Sequence, residues 1–446
     1  MVHTFRCLNR FFALDVESGS VFEIDELTKE LIDLKIKAPL NKIEGAFSCY
    51  SAEEVAEANE ELQSLIDRGL LFTSEASHNP PCYNGVVKAL CLNISHNCSL
   101  RCEYCFADGG SYSTERLNMS KEVAFAAIDF LISKSGTRRN LEVDFFGGEP
   151  LLNMDVVKAT VAYARSKEKE HNKNFRFTIT TNAYMLSDDD IDFFNKEMYN
   201  VVLSIDGRKD VHNCVRKTAR GEDSFDTILQ NALRFRAKRG DGQYYIRGTF
   251  TALNKDFATD ALYLNDCGFD QISLEPVVLP DTHRLAIKES DVPELVEQYE
   301  ILAKEYIERR KTDKWFNFFH FMIDISGGPC ESKRLVGCGA GNEYLCISPD
   351  GSIYPCHQFD GKPDFKIGSV LTGEFSDTLP KKFACANLTT KPECLKCWAK
   401  YYCSGGCAAN SVNFCGDINV PYTITCELMK KRVECAIAIK AIEGNL

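Results

Sequence analysis

Between residues 87 and 310, strand-like runs and amphipathic helices take turns, and this alternation restricts the fold more than any other feature. The strand-like runs are VKALCLNIS, LEVDFFGG, FRFTITTN, NVVLSIDG, YYIRGTFT and DQISLEPV. Helix-forming segments such as KEVAFAAIDFLISK, VVKATVAYARSKEKE and SFDTILQNALRFRAK separate them. A helix that returns the chain to the starting end of a sheet forces the next strand to pair in parallel, with a right-handed crossover. The class is therefore α/β, and the sheet is either an open layer or a partial barrel. In both, functional side chains gather at the strand C-termini.

Different patterns flank this series and divide the chain into residues 1–80, 81–310 and 311–446. The first part opens with FRCLNRFFALDVESGSVFEID, which predicts two β-rich runs joined by ESGS as a hairpin. Helices follow over ELTKELIDLKI and SAEEVAEANEELQSLIDRGLL, the second capped by Ser51 with acids in its first turn. HNPPCYNG reads as a linker, because Pro80 and Pro81 oppose helix. The last part is rich in Cys, Gly and Pro and has few long apolar runs. It should build little core of its own and rely on metal ligation.

The chain holds 21 cysteines, yet its opening, MVHTFRCLNRFFALD, lacks the apolar run of a secretory signal. No stretch approaches the roughly 20 apolar residues that cross a bilayer. The expectation is a cytoplasmic protein, off the membrane, with reduced thiols. A net charge of −12 disfavours a nucleic-acid surface, which needs a basic footprint. Cys7, Cys49, Cys91, Cys214, Cys267 and Cys435 stand singly among apolar neighbours and read as small buried hydrophobes.

Three other thiols, Cys98, Cys102 and Cys105, form CSLRCEYC in the loop after the first strand of the series. Three thiolates on a four-iron cube leave one iron open, and an open position separates a reactive metal site from a closed structural one. The alternative is a zinc site completed by a distant His, or three unligated thiols. The spacing, with Tyr104 before the third cysteine, resembles the signature of radical S-adenosylmethionine (SAM) enzymes. FFGGEP at the end of the second strand resembles that family's Gly-Gly-Glu-Pro run, with Gly147, Gly148, Glu149 and Pro150. The resemblance implies a partial (β/α)6 barrel and a SAM molecule on the open iron. Glu149 would meet the methionine ammonium, while Ser204 and Arg216 would hold the methionine end. Tyr104 and Leu274 would contact adenine. Ala183, in TTNA, stands where relatives often have Gly.

In the last part, Cys338, the G-x4-C pair Gly351 and Cys356, the run CLKCWAKYYCSGGC and Cys426 together resemble the SPASM extension of radical enzymes that modify peptides. The resemblance implies two auxiliary [4Fe-4S] clusters, and three clusters in all. Cys338, Cys356 and Cys407 would hold the first; Cys394, Cys397, Cys403 and Cys426 the second. The first set has three ligands, so its open iron either binds a substrate thiolate or takes Cys330 or Cys346, which lie outside the seven-cysteine pattern. Two zinc sites are the alternative for the whole tail. Sulfatase-maturing relatives carry Asp immediately after the G-x4-C cysteine, where this chain has His357.

The first 80 residues resemble the winged-helix-like leader-recognition elements of peptide maturases, which add a leader peptide as a strand to a sheet edge. Together the three parts resemble the maturases of SCIFF peptides. That resemblance implies a thioether between a cysteine sulfur and the α-carbon of a threonine in a Cys-rich precursor peptide with a leader. It also implies a flavodoxin or ferredoxin-type reductant. The general base is not legible. A sulfatase-type or carbon–carbon-bond-forming maturase is the alternative within radical chemistry; a ferredoxin-like electron carrier is the alternative outside it.

Overall fold

The computed structural model describes residues 1–37, 49–75, 83–325 and 331–444. The Pro80–Pro81 stretch of the expected linker and Cys330 lie outside them. The chain begins with a three-stranded antiparallel sheet, β1 (Val2–Cys7), β2 (Arg10–Asp15) and β3 (Val21–Ile24), in that spatial order. The first of the two expected β-runs is thus itself a hairpin. Leu8 and Asn9 adopt φ of 50° and 62°, as a two-residue turn requires, and Leu-Asn is a poor advertisement for one. The expected ESGS turn joins β2 to β3, and Asp15 Oδ1 accepts the N–H groups of Glu17 and Ser18.

Two helices follow, α1 (Glu26–Lys37) and α2 (Ala52–Asp67). Ser51 caps α2 in a capping box with Glu54. Apolar side chains from both, Leu31, Ile32 and Leu62 among them, close a small core against the sheet.

The six expected strands are β4 (Ala89–Ser95), β6 (Asn140–Gly147), β7 (Asn174–Thr181), β8 (Met198–Ser204), β10 (Gln243–Phe250) and β11 (Gln271–Pro276). Between them, β5 (Leu100–Cys102) and β9 (Arg216–Thr218) pair with each other as a separate ribbon. The six pair in parallel in the spatial order β11-β10-β8-β7-β6-β4 and form a partial barrel that does not close. Helices α3 (Lys121–Lys134), α4 (Met154–His171), α5 (Asp188–Glu197), α6 (Lys209–Val215), α7 (Phe225–Arg239), α8 (Phe257–Asp266) and α9 (Val292–Arg309) connect or flank the strands. Alternation sets the two faces. In β10, Tyr244, Ile246 and Phe250 are buried, while Tyr245, Arg247 and Thr249 are more open and face the barrel interior.

The sheet continues past residue 310. A short β12 (Asn317–Phe318) adds beside β11, and β13 (Tyr344–Ile347) adds beside β4 in parallel, followed by β14 (Ser352–Tyr354) and β15 (Gly368–Ser369). The expectation of little core in the tail fails at its end. The helix Thr423–Ile442 buries Leu428, Val433, Ile437 and Ile439 against α9 and shares the main core. Its amphipathicity was hidden because Lys431 and Arg432 are also buried, Lys431 on Glu300 and Glu434, Arg432 on Tyr299 and Glu275. No helix among the described residues is long and apolar enough to cross a membrane.

Candidate active site

The three-thiol loop leaves β4 at the C-terminal end of the sheet and is pinned on the opposite side by the β5–β9 ribbon, where Cys102 stands opposite Arg216. Within it, the N–H of Cys105 bonds to the carbonyl of Cys102 at 3.1 Å. Asn182 Nδ2 lies 3.5 Å from Cys98 Sγ and 3.1 Å from Ser99 Oγ, so the residue that follows β7 fixes the first cysteine. Burial pushes the Cys98 thiol up to about 12, with Glu149 adding to it. Burial also raises Cys102, to about 11, against the pull of Arg216. Thiols so buried become thiolates when a cation binds them.

The glycines of FFGGEP serve this loop. A Cβ on Gly148 would stand 2.2 Å from the carbonyl oxygen of Asn97 and 3.0 Å from Cα of Gly110. Gly147, at φ 120°, has the carbonyl of Ser95 where its Cβ would be. The strand end can therefore run directly against the cysteine loop. Glu149, 1% exposed, accepts from Thr181 Oγ1 at 2.6 Å and from the N–H groups of Asn182 and Leu151. Burial raises its carboxyl, opposed by those three bonds and by Arg216.

Behind the loop lies a buried relay of Tyr104, Arg216 and Asp206. Tyr104 donates to Asp206 Oδ2 at 2.7 Å and accepts from Arg216 Nη1 at 2.8 Å. Asp206 Oδ1 takes the N–H of Thr249. Burial holds His212 down to about 2, so it stays neutral and its Nδ1 accepts the N–H of Asp206 at 3.4 Å. Arg216 Nε is buried without a partner among the described residues.

Cys98, Cys102 and Cys105 line one cavity of 420 Å³, together with Tyr104, Gly148, Glu149, Ser204 and Arg216. Its other wall comes from the tail: His357, Gln358, Asn410 and the thiol-bearing Cys407. In the tail the thiols fall into two groups. Cys356 interacts electrostatically with Cys407 and Cys338, and Cys407 with Cys338. Cys426 interacts with Cys403, Cys394 and Cys397. Cys346 is fully buried beside Cys91, its register partner across β4 and β13, and also feels Cys356. Among the described residues, no group of three or more His, Cys, Asp or Glu side chains is arranged to hold a single metal ion.

Residues 92–251 match the sequence model of the radical SAM superfamily, and residues 338–398 that of the SPASM iron–sulfur cluster-binding domain. The chain carries a radical SAM domain. Among curated relatives, a cysteine-type anaerobic sulfatase-maturating enzyme of Clostridium novyi is 26% identical over 76% of this chain and 92% of its own length. The radical SAM cyclopropyl synthase TigE of Paramaledivibacter caminithermalis is 23% identical over 92% of this chain and 89% of its own. Among solved structures, anSMEcpe with bound AdoMet superposes at a TM-score of 0.68 and 19% identity, covering 81% of this chain and 96% of that one. SuiB of Streptococcus suis bound to S-adenosylmethionine gives 0.55 and 17%, covering 95% and 98%. At such identities the structures show the fold.

The radical SAM domain implies a [4Fe-4S] cluster and SAM, and the residues fit them. The three thiols and a carboxylate line one cavity, and a buried guanidinium nitrogen has no partner among the described residues. Leu274 is placed elsewhere. It is fully buried, and its Cδ2 stands 2.5 Å from where a Cβ on Gly248 would be, so it faces the helix layer; Glu275, Pro276, Val277 and Val278 line the cavity instead. The strand's alternation puts odd and even positions on opposite faces, which assigning a residue by strand end overlooks. Sequence reasoning also missed Asn182, Asp206 and Arg247. Asp206 had a signal, since a carboxylate just past the C-terminal end of a barrel strand lies where functional side chains gather. Cys49 and Cys214, expected to be buried, are exposed, and Cys267 is half-buried; Cys7, Cys91 and Cys435 are buried.

Proposed function

We propose that the protein is a peptide maturase that joins a cysteine sulfur to the α-carbon of an acceptor residue, threonine by resemblance, in a Cys-rich precursor. The observation that carries this reading is the shared cavity. Cys407, assigned to the first auxiliary cluster with Cys338 and Cys356, faces the space lined by Cys98, Cys102 and Cys105. A substrate sulfur held on the tail side would therefore lie next to the place where hydrogen is removed.

A [4Fe-4S] cluster with SAM supplies one-electron cleavage of the sulfonium and hence a hydrogen-abstracting carbon radical. Glu149, Ser204 and Arg216 would hold the methionine end. Cys394, Cys397, Cys403 and Cys426 would hold the second auxiliary cluster. Cys346 is fully buried opposite Cys91, which supports a first auxiliary site that leaves Cys346 out and has room for the substrate thiolate. In the overall change the acceptor would give its α-hydrogen atom to the SAM-derived radical, the cysteine would lose its thiol proton, one C–S bond would form, and the one electron left over would pass to the auxiliary cluster; a reductant of the flavodoxin or ferredoxin type would supply the electron that starts the reaction.

The leader would add to β3, which among the described residues pairs on one side only, with β2. Peptide substrates also suit the relatives: one anSMEcpe structure is bound to the Cp18Cys peptide and one SuiB structure to its precursor peptide SuiA.

Turnover of a precursor carrying α-deuterated threonine tests the reading. Deuterium is expected in 5′-deoxyadenosine, with a product two hydrogens lighter whose linked cysteine resists alkylation. The similarity to sulfatase-maturating enzymes favours a sulfatase-type modification as the second reading; it would leave the threonine deuterium in place.

A further inference from the structure

The loop from Cys397 to Cys403 is held by the opposite end of the chain. Trp398 stacks face to face on His3, with centroids 3.8 Å apart and planes 6° from parallel. Lys400, its side chain 1% exposed, meets Glu17 Oε1 at 2.7 Å; the Glu17 side chain is 2% exposed. Tyr401 donates to the other Glu17 oxygen at 2.8 Å, and Glu75 approaches Lys400 at 3.2 Å. The remaining side of His3 faces Glu434 Oε1 at 3.1 Å, on the helix that also carries Cys426.

Two metal ligands separated by five residues keep their geometry only if the residues between them are fixed, and outer partners commonly supply that fixing. Here the partners come from β1 and from the turn between β2 and β3. A carboxylate and an ammonium removed from water together are also strongly coupled, because neither can lose the other without leaving a bare buried charge.

We propose that Glu17 and His3 are positioning residues for the second auxiliary cluster, making the N-terminal sheet part of that metal site as well as a candidate peptide-binding unit. Glu17 sets both the course of the ligand loop, through Lys400 and Tyr401, and the net charge beside it. This rests on the reading that Cys394, Cys397, Cys403 and Cys426 hold a cluster.

The test uses the full-length chain, anaerobically reconstituted, with iron and sulfide counts and a potentiometric titration followed by electron paramagnetic resonance. Glu17→Gln removes the buried partner of Lys400 and leaves it with the exposed Glu75, so the midpoint potential of the second auxiliary cluster should rise, since added positive charge favours the reduced state. The double variant Glu17→Gln, Lys400→Met should bring the potential back toward that of the parent. His3→Ala should broaden the signal of that cluster alone, and the signal from the Cys98, Cys102 and Cys105 cluster should persist throughout. Parent-like potential and line shape in both Glu17→Gln and His3→Ala would overturn the proposal. If Glu17→Gln does not fold, His3→Ala and Lys400→Arg decide it in the same way. A Cys394→Ala, Cys397→Ala variant that keeps the parent iron count would instead overturn the cluster assignment beneath it.

Discussion

The loop at Cys98 and the tail around Cys394 both bring thiols together, and they do so by opposite means. The loop hangs from β4, is clamped by the β5–β9 ribbon, touches the glycines at the end of β6 and is bonded by Asn182, which follows β7. Its thiols are placed by a hydrogen-bonded sheet with a large apolar core of its own. Residues 388–415 instead fold as helical turns of three to five residues, with left-handed backbone at Ser404, Gly405 and Gly406. There, packing between neighbours and, on the proposed reading, a cluster held by the thiols must do what a ladder does elsewhere. A scaffold-made site gains precision, whereas a ligand-made site gains much of its fold from its metal.

The largest effect that can break this comparison is cysteine removal. Replacing Cys98, Cys102 and Cys105 together by alanine should abolish 5′-deoxyadenosine formation yet move the melting temperature by no more than about 3 °C. Replacing Cys394, Cys397, Cys403 and Cys426 should open the segment 388–420 to limited proteolysis, with cleavage read by mass spectrometry. Equal protease resistance of the two variants would erase the distinction between the regions.

The same contrast explains what the sequence could reveal. The barrel strands were legible because a parallel sheet imposes a local period that apolar residues must follow. The thiol grouping was legible because ligand spacing is local as well. What escaped was long-range: the register that places Leu274 on the helix side, the salt bridges that sink Lys431 and Arg432, and the joining of Glu17 to Lys400 across most of the chain. A charged residue gives no sign of the partner it will meet after folding, so Lys400 reads as surface until the sheet is in place.

A smaller effect probes the clamp alone. Arg216 is 6% exposed and Asp206 1%; they form an ion pair at 3.8 Å, with Tyr104 bonded to both. Arg216→Met should destabilise the barrel by about 3–5 kcal/mol, because it strands a buried carboxylate. Adding Asp206→Asn should recover much of that loss, and urea unfolding of both variants measures it. The tail should show no change in its proteolysis pattern, since no residue of this relay comes from it. A single variant with parent stability would mean that the ribbon, and not the ion pair, carries the clamp.

The smallest effect compares two residues strained in the same way. Ala183, φ 59°, follows β7 in the rigid region, and Ser404, φ 57°, ends a helical turn in the tail. A left-handed L-residue costs about 1–2 kcal/mol, which glycine relieves at an entropic cost of roughly half that. Ala183 is fully buried, so glycine there would also lose a packed methyl worth about 0.8 kcal/mol. Ala183→Gly should therefore change stability by less than about 0.5 kcal/mol, which is why alanine is tolerated at this position. Ser404 is only half-buried, so glycine there loses less packing, and Ser404→Gly should stabilise by about 0.5–1 kcal/mol. Chemical denaturation of the two variants gives the difference. A gain at Ala183 equal to that at Ser404 would mean that the methyl contributes nothing, and that the rigid region is less tightly packed around β7 than its burial indicates.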